Sequence, residues 1–437
     1  MNDKYDIIVV GSGVAGLYFA LSTSWDKKIL MITKDQLDNS DSYLAQGGIC
    51  TLTTPDNFEE YFEDTMRAGH YENNPEAVKV MIEHSPHVIH ALEKYGVDFD
   101  RNPDGSYHYT KEAAHRTNRI LHHADQTGKE ITKTLLKKVI ERENITLLPY
   151  HTMIDILEDK AGVCTGIVIE NEEGDRKAVY ANAVVLATGG IGGLFLHSTN
   201  FPHITGDSFA LAILHHVELE HINSIQIHPT TLYTNKKERS FLISESVRGE
   251  GAILLDKDGN RFTDELQPRD VVAAAISDQM KKDNSDHVYI KLVSMTSEEA
   301  QKRFPHIFER CLQEGYDITK DMVPITPAQH YLMGGIKVNT EGVTSMPRLY
   351  AVGETACNGV HGKNRLASNS LLESLVFAER AAFNAEKLKP YECIIEEADF
   401  SKYPSKQDRE KQYSSIILNE IKRKDLNFYD KWCNFEN

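Results

Sequence analysis

Gly11-Ser12-Gly13-Val14-Ala15-Gly16 follows the apolar run Ile7-Ile8-Val9-Val10 directly and runs straight into Leu17-Tyr18-Phe19-Ala20-Leu21. Few folds admit that order. It reads as strand, tight turn and helix, the opening of a dinucleotide-binding unit. Each glycine is there for its own physical reason. Gly11 allows the turn, Gly13 lets a pyrophosphate approach the backbone, and Gly16 lets the helix press on the sheet. The N–H groups and positive end of the new helix then face the phosphates.

Ile29-Leu30-Met31-Ile32-Thr33-Lys34 supplies the second strand. A simple NAD site places an acidic residue at the end of that strand to hold the ribose hydroxyls. Thr33-Lys34 stands there instead, which argues against ordinary NAD use, although Asp35 is close by.

The balance of 48 basic against 65 acidic residues gives a net charge of −17. An acidic surface repels phosphate backbones and anionic membranes, so no nucleic-acid partner is expected, and an anionic ligand needs a locally basic pocket. Cys50, Cys164, Cys311, Cys357, Cys393 and Cys433 form no CxxC pair, which disfavours a zinc or iron–sulfur site, and no metal is expected. With a strand starting near Tyr5 and no apolar run of bilayer-spanning length, the expectation is a cytoplasmic protein without membrane insertion.

Residues 56–95 pattern as helix, with His84, His87 and His90 on a polar face rather than in a metal site. The small-residue stretch Asn39 to Ile49 suits either a flat ligand or a surface loop. By composition Tyr109 to Arg116 and Arg119 to Gly128 read as solvated loops. Residues 129–142 read as an amphipathic helix, Ile145 to Pro149 as a strand, and the short β-like runs that follow as an inserted meander. Ala183-Val184-Val185-Leu186-Ala187-Thr188-Gly189-Gly190 has the fully apolar texture of a parallel strand buried on both faces. Asp207, after Thr205-Gly206, is a helix cap by default. From about 222 to 330 the texture turns to polar loops carrying His228, Ser244, Glu245 and Arg269, the last expected to pair with Asp270 at a helix start. The dinucleotide fold resumes with Leu349 to Glu354 and the helix start Ala367-Ser368-Asn369-Ser370-Leu371. The tail beyond Pro390 reads as one or two helices.

GSGVAG, SYLAQGGI, RILHHADQTG, ATGG, HPT, ESVRGEG, PRDVV, HYLMGGI, AVGE and NRLASNSLLES occur here in the order found in the fumarate reductase and succinate dehydrogenase flavoprotein superfamily. The chain resembles that family from about residue 4 to 390, most of all its aspartate-oxidising branch. The resemblance implies an α/β fold: a Rossmann-like FAD-binding domain (1–221 and 332–390), an inserted α+β capping domain (222–331) and a short, helical C-terminal tail (391–437) in place of the family's longer helical domain.

It further implies FAD held by Gly11, Ser12, Gly13, Val14, Ala15, Gly16, Lys34, Ser40, Gln46, Gly47, Gly48, Asp207, Glu354, Ser370 and Leu371. Membrane-complex members attach FAD through a histidine where this chain has Asp41, so non-covalent binding is expected. Glu112 matches a glutamate that faces the substrate amine, and a carboxylate there pairs with an ammonium that fumarate and succinate lack. His228, His330 and Arg365 match carboxylate-holding positions, with Ser244 and Glu245 completing the pocket, and Arg269 matches the proton-transferring arginine. The family's glycine pair after the glutamate is Ala113-Ala114 here. The implied substrate is L-aspartate, with dioxygen or fumarate as electron acceptor and a functional link to quinolinate synthase in NAD synthesis. Alternative readings are a soluble fumarate reductase and a non-catalytic flavin-carrying subunit.

Overall fold

The computed structural model describes residues 4–112, 114–234, 236, 239–391 and 399–433. Its largest sheet has seven strands in the order Ile145–Leu148, Ile29–Ile32, Lys4–Val10, Arg176–Leu186, Cys164–Asn171 and His151–Glu158, with Leu349–Ala351 also pairing with Arg176–Leu186. Both faces are covered. Ile7, Val9, Ile29 and Met31 point into one apolar cluster, while Ile8, Val10, Leu30 and Ile32 point into the other. That period-two division accounts for the continuous apolar runs in the sequence.

The meander and the apolar run at 183–190 belong together. Arg176–Leu186 is one 11-residue strand. Its first half pairs antiparallel with Cys164–Asn171, and its second half pairs parallel with Lys4–Val10. Three of the strand's residues, Val184 to Leu186, also carry Leu349–Ala351, which returns the chain to the sheet.

The helical region at 56–95 is two helices, Phe58–Ala68 and Pro75–Tyr95. Asn74 caps the second with its side chain on Glu76 and Ala77 N–H, and Pro75 sits at the first helical position, where its missing N–H costs nothing. His84 and His87 turn toward buried Glu379, and among the described residues no group of three or more His, Cys, Asp or Glu side chains is arranged to hold a metal.

The expected polar loops at 222–330 are instead largely regular structure. Ile225–Leu232, Val323–Leu332, Val288–Leu292 and Ala252–Leu255 form an antiparallel four-stranded sheet with its own apolar cluster, backed by helices including Arg269–Asp283 and Pro305–Gln313. Every residue of Ile225–Leu232 is buried, polar side chains included. Composition suggested a loop because a strand that lines a site carries His and Thr where a core strand carries Val.

Beyond 399, the helix Lys406–Lys424 packs Ile417 and Ile421 into the cluster beneath the large sheet, and Tyr413 Oη donates to Ile154 O at 2.7 Å. Arg409 pairs with buried Glu170. Among the described residues no helix is long and apolar enough to cross a membrane.

Candidate active site

A continuous cavity runs from the first glycine turn, past Lys34 and Asp207, to the four-stranded sheet. Of the cofactor residues expected from sequence, all but Val14 and Gly16 line it. Those two act from behind the wall. Val14 N–H donates to Ser42 Oγ at 3.1 Å, pinning the loop at 39–48 over the turn. A Cβ on Gly16 would lie 2.2 Å from Gly11 O and 3.3 Å from Ala187 Cβ, so the glycine is needed for helix-to-turn packing. Lys34 Nζ reaches Asp207 Oδ2 at 2.7 Å and Thr205 Oγ1 at 2.8 Å. Asp207 is therefore the first helical residue and an ion-pair partner, not the cap, which is Gly206.

The cavity suits a large polar cofactor on the character of its wall. Ser40 Oγ, Asp41 Oδ2 and Gln46 Oε1 are buried yet have no protein partner among the described residues. Buried polar atoms of that kind await a ligand. The helix Asn369–Ala385 opens on the same space, and its cap residue Ser368 makes no capping hydrogen bond, leaving the first N–H groups to whatever fills the cavity.

Burial pushes Glu354 up to about 8, with Asp41 nearby adding repulsion, while Leu332 N–H donates to Glu354 Oε1 at 2.9 Å. An acid raised in the folded state stabilises fully below its unfolded value and loses that contribution as pH rises through the folded value. The cofactor-free protein is thus expected to lose about 2 kcal/mol through Glu354 as pH rises from about 6 through about 8. Thermal melts across that range check it; the Glu354→Gln variant should flatten the decline.

All seven expected substrate-pocket residues, Glu112, His228, Ser244, Glu245, Arg269, His330 and Arg365, converge at the far end of the cavity. The strand Ile225–Leu232 shifts register between His228 and Thr231, where Pro229 has no N–H for the ladder. Thr230 N–H turns back to His228 Nδ1 at 3.1 Å. Burial, reinforced by Arg269, holds His228 well below the usual histidine range, so its neutral ring carries the proton on Nε2, a buried donor without an acceptor among the described residues. His330 lies beside it, ring centroids 5.1 Å apart, with Nδ1 fixed on Thr199 Oγ1 at 2.7 Å.

Arg269 does not pair with Asp270. Its Nε contacts Glu245 Oε2 at 2.5 Å and its Nη1 contacts Gln226 Oε1 at 2.8 Å. Asp270 faces outward to His70 at 3.2 Å and accepts from Asn364. Burial works against the Glu245 charge, but Arg269 and Arg248 hold its carboxyl below the ordinary value. Burial lowers Arg365 to about 10, and its guanidinium stacks 4.5 Å over Tyr331 while Nη1 donates to Ser370 Oγ at 2.6 Å.

The segments at 109–116 and 119–128 are not solvated loops. Glu112, His115, Arg119, His122 and Asp125 are all buried. Their partners come from elsewhere: Arg119 meets Asp64 at 2.8 Å and stacks on Tyr61, and His122 meets Asp100 at 3.0 Å. Ala114 takes a left-handed φ of 69°, and Ala113 lies outside the described residues.

Sequence reasoning missed Gln226, whose Oε1 accepts from both Arg269 and Arg365, and Ser246, which donates to Glu112. The available signals were their positions, two before His228 on its strand and two after Ser244.

Residues 6–371 match the FAD binding domain family. The chain is 48% identical over 408 residues to an L-aspartate oxidase of Clostridium perfringens, covering 92% of both chains. The chain belongs to the L-aspartate oxidase family. A second L-aspartate oxidase, from Arabidopsis thaliana, is 39% identical over 86% of this chain and 61% of its own length. Among solved structures, an E. coli quinol fumarate reductase superposes with a TM-score of 0.83 at 31% identity, covering 96% of this chain and 74% of the other. As a member of the L-aspartate oxidase family the chain binds FAD non-covalently.

Proposed function

We propose that this chain oxidises L-aspartate to iminoaspartate in the cavity between the large sheet and the four-stranded sheet. The observation that carries the reading is Glu112. It is buried, and among the described residues its side-chain oxygens are held only by the hydroxyls of Ser246 and Ser368 and no cation lies within ion-pair distance of it. Glu245, by contrast, is already neutralised by Arg269 and Arg248. A ligand with two carboxylates and one ammonium supplies the missing positive charge and takes up the unpaired donors. Arg248 and Arg365 act on Glu112 only from beyond ion-pair distance, and burying a carboxylate without a paired cation is costly.

FAD, when bound by the residues named above, supplies the hydride acceptor at its N5 atom. His228 Nε2–H, His330 and Arg365 hold the substrate carboxylates, the guanidinium by its matching fork. Glu112 takes the ammonium and so fixes the orientation of the Cα–H bond that is to break. Arg269, backed by Glu245, handles the proton released from nitrogen as the imine forms; an arginine acts so only beside a fixed anion in a water-poor site. The electron acceptor we assign to the overall reaction is dioxygen, which would give hydrogen peroxide, or fumarate, which would give succinate. We assign the chain to the cytoplasm, with domain boundaries near 222 and 332, and link its imine product to quinolinate synthase.

Anaerobic mixing with L-aspartate tests the reading: the visible flavin band should bleach. In the Glu112→Gln variant the KM for L-aspartate should rise about a hundredfold, the cost of leaving a buried charge pair half made, while fumarate still reoxidises reduced enzyme. Reoxidation by fumarate without bleaching by L-aspartate would mark a fumarate reductase instead.

A further inference from the structure

Glu112 is held on three sides. A Cβ on Gly47 would lie 2.5 Å from Glu112 Oε1, so the backbone there forms a close wall. Ser368, whose hydroxyl is withdrawn from capping its own helix, donates to Oε2. Ser246 donates to Oε1 at 2.9 Å, and Ser246 and Glu112 are 6% and 4% exposed.

Ser246 differs from the other two contacts in where it comes from. Gly47 and Ser368 belong to segments packed on the large sheet, whereas Ser246 sits in the short helix Glu245–Gly249, directly before the edge strand of the four-stranded sheet. It is the contact by which that unit reaches the glutamate. Its hydroxyl has one proton, committed to Glu112, and its oxygen accepts from Ser244 Oγ at 3.2 Å. The hydroxyl chain therefore runs one way, from Ser244 through Ser246 to the carboxylate. Such chains polarise one another, and the last acceptor gains most.

We propose that Ser246 is a positioning residue for amino-substrate recognition: it fixes the Glu112 carboxylate so that the free lone pairs face the incoming ammonium. The inference rests on the aspartate-oxidising reading above. Without Ser246, Glu112 Oε1 has lost its donor and the carboxylate can rotate about its last bond, away from the substrate nitrogen. Ligands lacking an ammonium make no use of that orientation.

Ser246→Ala separates these roles. Its KM for L-aspartate is expected to rise about five- to tenfold, in keeping with a lost hydrogen bond to a charged group, with kcat within about twofold. The inhibition constant of succinate, which has both carboxylates and no ammonium, should stay unchanged, as should FAD content. Ser246→Thr, which keeps the hydroxyl, should restore the wild-type KM. A parallel rise in aspartate KM and succinate inhibition constant would show loss of packing and overturn the proposal, as would an unchanged KM. Wild-type protein that L-aspartate fails to reduce would overturn the aspartate reading and this inference with it. Wild-type oxidation with an unshifted variant KM would remove only Ser246.

Discussion

An Arg269→Leu protein is expected to keep its FAD yet oxidise L-aspartate at least about a thousandfold more slowly, the upper range for loss of a proton-transferring group. Arg269 lines the cavity beside the four-stranded sheet, held by Glu245 at 2.5 Å and by Gln226 at 2.8 Å. On the proposed reading, leucine removes both a charge facing the substrate and the group that handles its proton. Two contacts limit the structural damage. Glu245 keeps Arg248 at 3.3 Å, and Gln226 keeps Arg365 at 3.4 Å. Stopped-flow mixing under anaerobic conditions measures the flavin reduction rate directly. Arg269→Lys retains the charge but loses the fork that binds both partners, so its rate should fall between wild type and leucine. Bleaching of the leucine variant at the wild-type rate would remove Arg269 from the chemistry. Loss of FAD from that variant would instead show that its role is to hold the two sheets together.

What the sequence discloses here depends on how far apart the interacting residues lie. The turn at Gly11–Gly16 is written in six consecutive residues, and the structure returns it with Gly11 at φ 113°. The parallel strands announce themselves because both faces of the large sheet are covered. Arg119 was unreadable on the same terms. Its polar neighbours suggest solvent, and the partner that buries it, Asp64, is 55 positions away. Arg269 shows the same effect in reverse. Sequence adjacency favoured Asp270, but successive positions on a helix face different directions, and the buried partner comes from 24 positions earlier. Ser368 is the finest case. A serine at a helix start is a cap by every local rule, yet its hydroxyl goes to Glu112. The convergence of the seven expected residues on one cavity was nonetheless legible, because five of them sit in short motifs, and Glu112 and Ser244 lie beside such motifs, whose family resemblance carries information that propensity does not.

Alanine at Gly11 and alanine at Gly13 should fail for different reasons, and comparing them separates the fold's need for the turn from the cofactor's. A Cβ on Gly11 would lie 2.1 Å from Ala187 O and 2.7 Å from Ala187 C, both backbone atoms, at a φ that L residues rarely adopt. The left-handed conformation alone costs about 1–2 kcal/mol, and the clash adds about 1–3 kcal/mol more through a forced backbone shift. The shift would separate Lys4–Val10 from Arg176–Leu186 at the point where Ala187 N–H meets Val10 O at 2.8 Å. Gly11→Ala should therefore lower the melting temperature of the cofactor-free protein as well as its FAD content. At Gly13 the nearest protein atom to a Cβ is Ser42 Oγ at 3.3 Å, the end of a rotatable side chain, and φ is −68°. The chain accommodates that methyl group at little cost, but the methyl stands in the cavity where, on the proposed reading, the helix N-terminus would meet the cofactor. Gly13→Ala should melt like wild type when stripped of FAD and bind FAD at least about tenfold more weakly, the cost of overpacking a filled site. Fluorescence quenching titrations and melts on the stripped proteins decide the matter. A stripped Gly13→Ala protein as unstable as Gly11→Ala would mean that the turn tolerates no side chain at either glycine, and that its cofactor role cannot be told apart from its structural one.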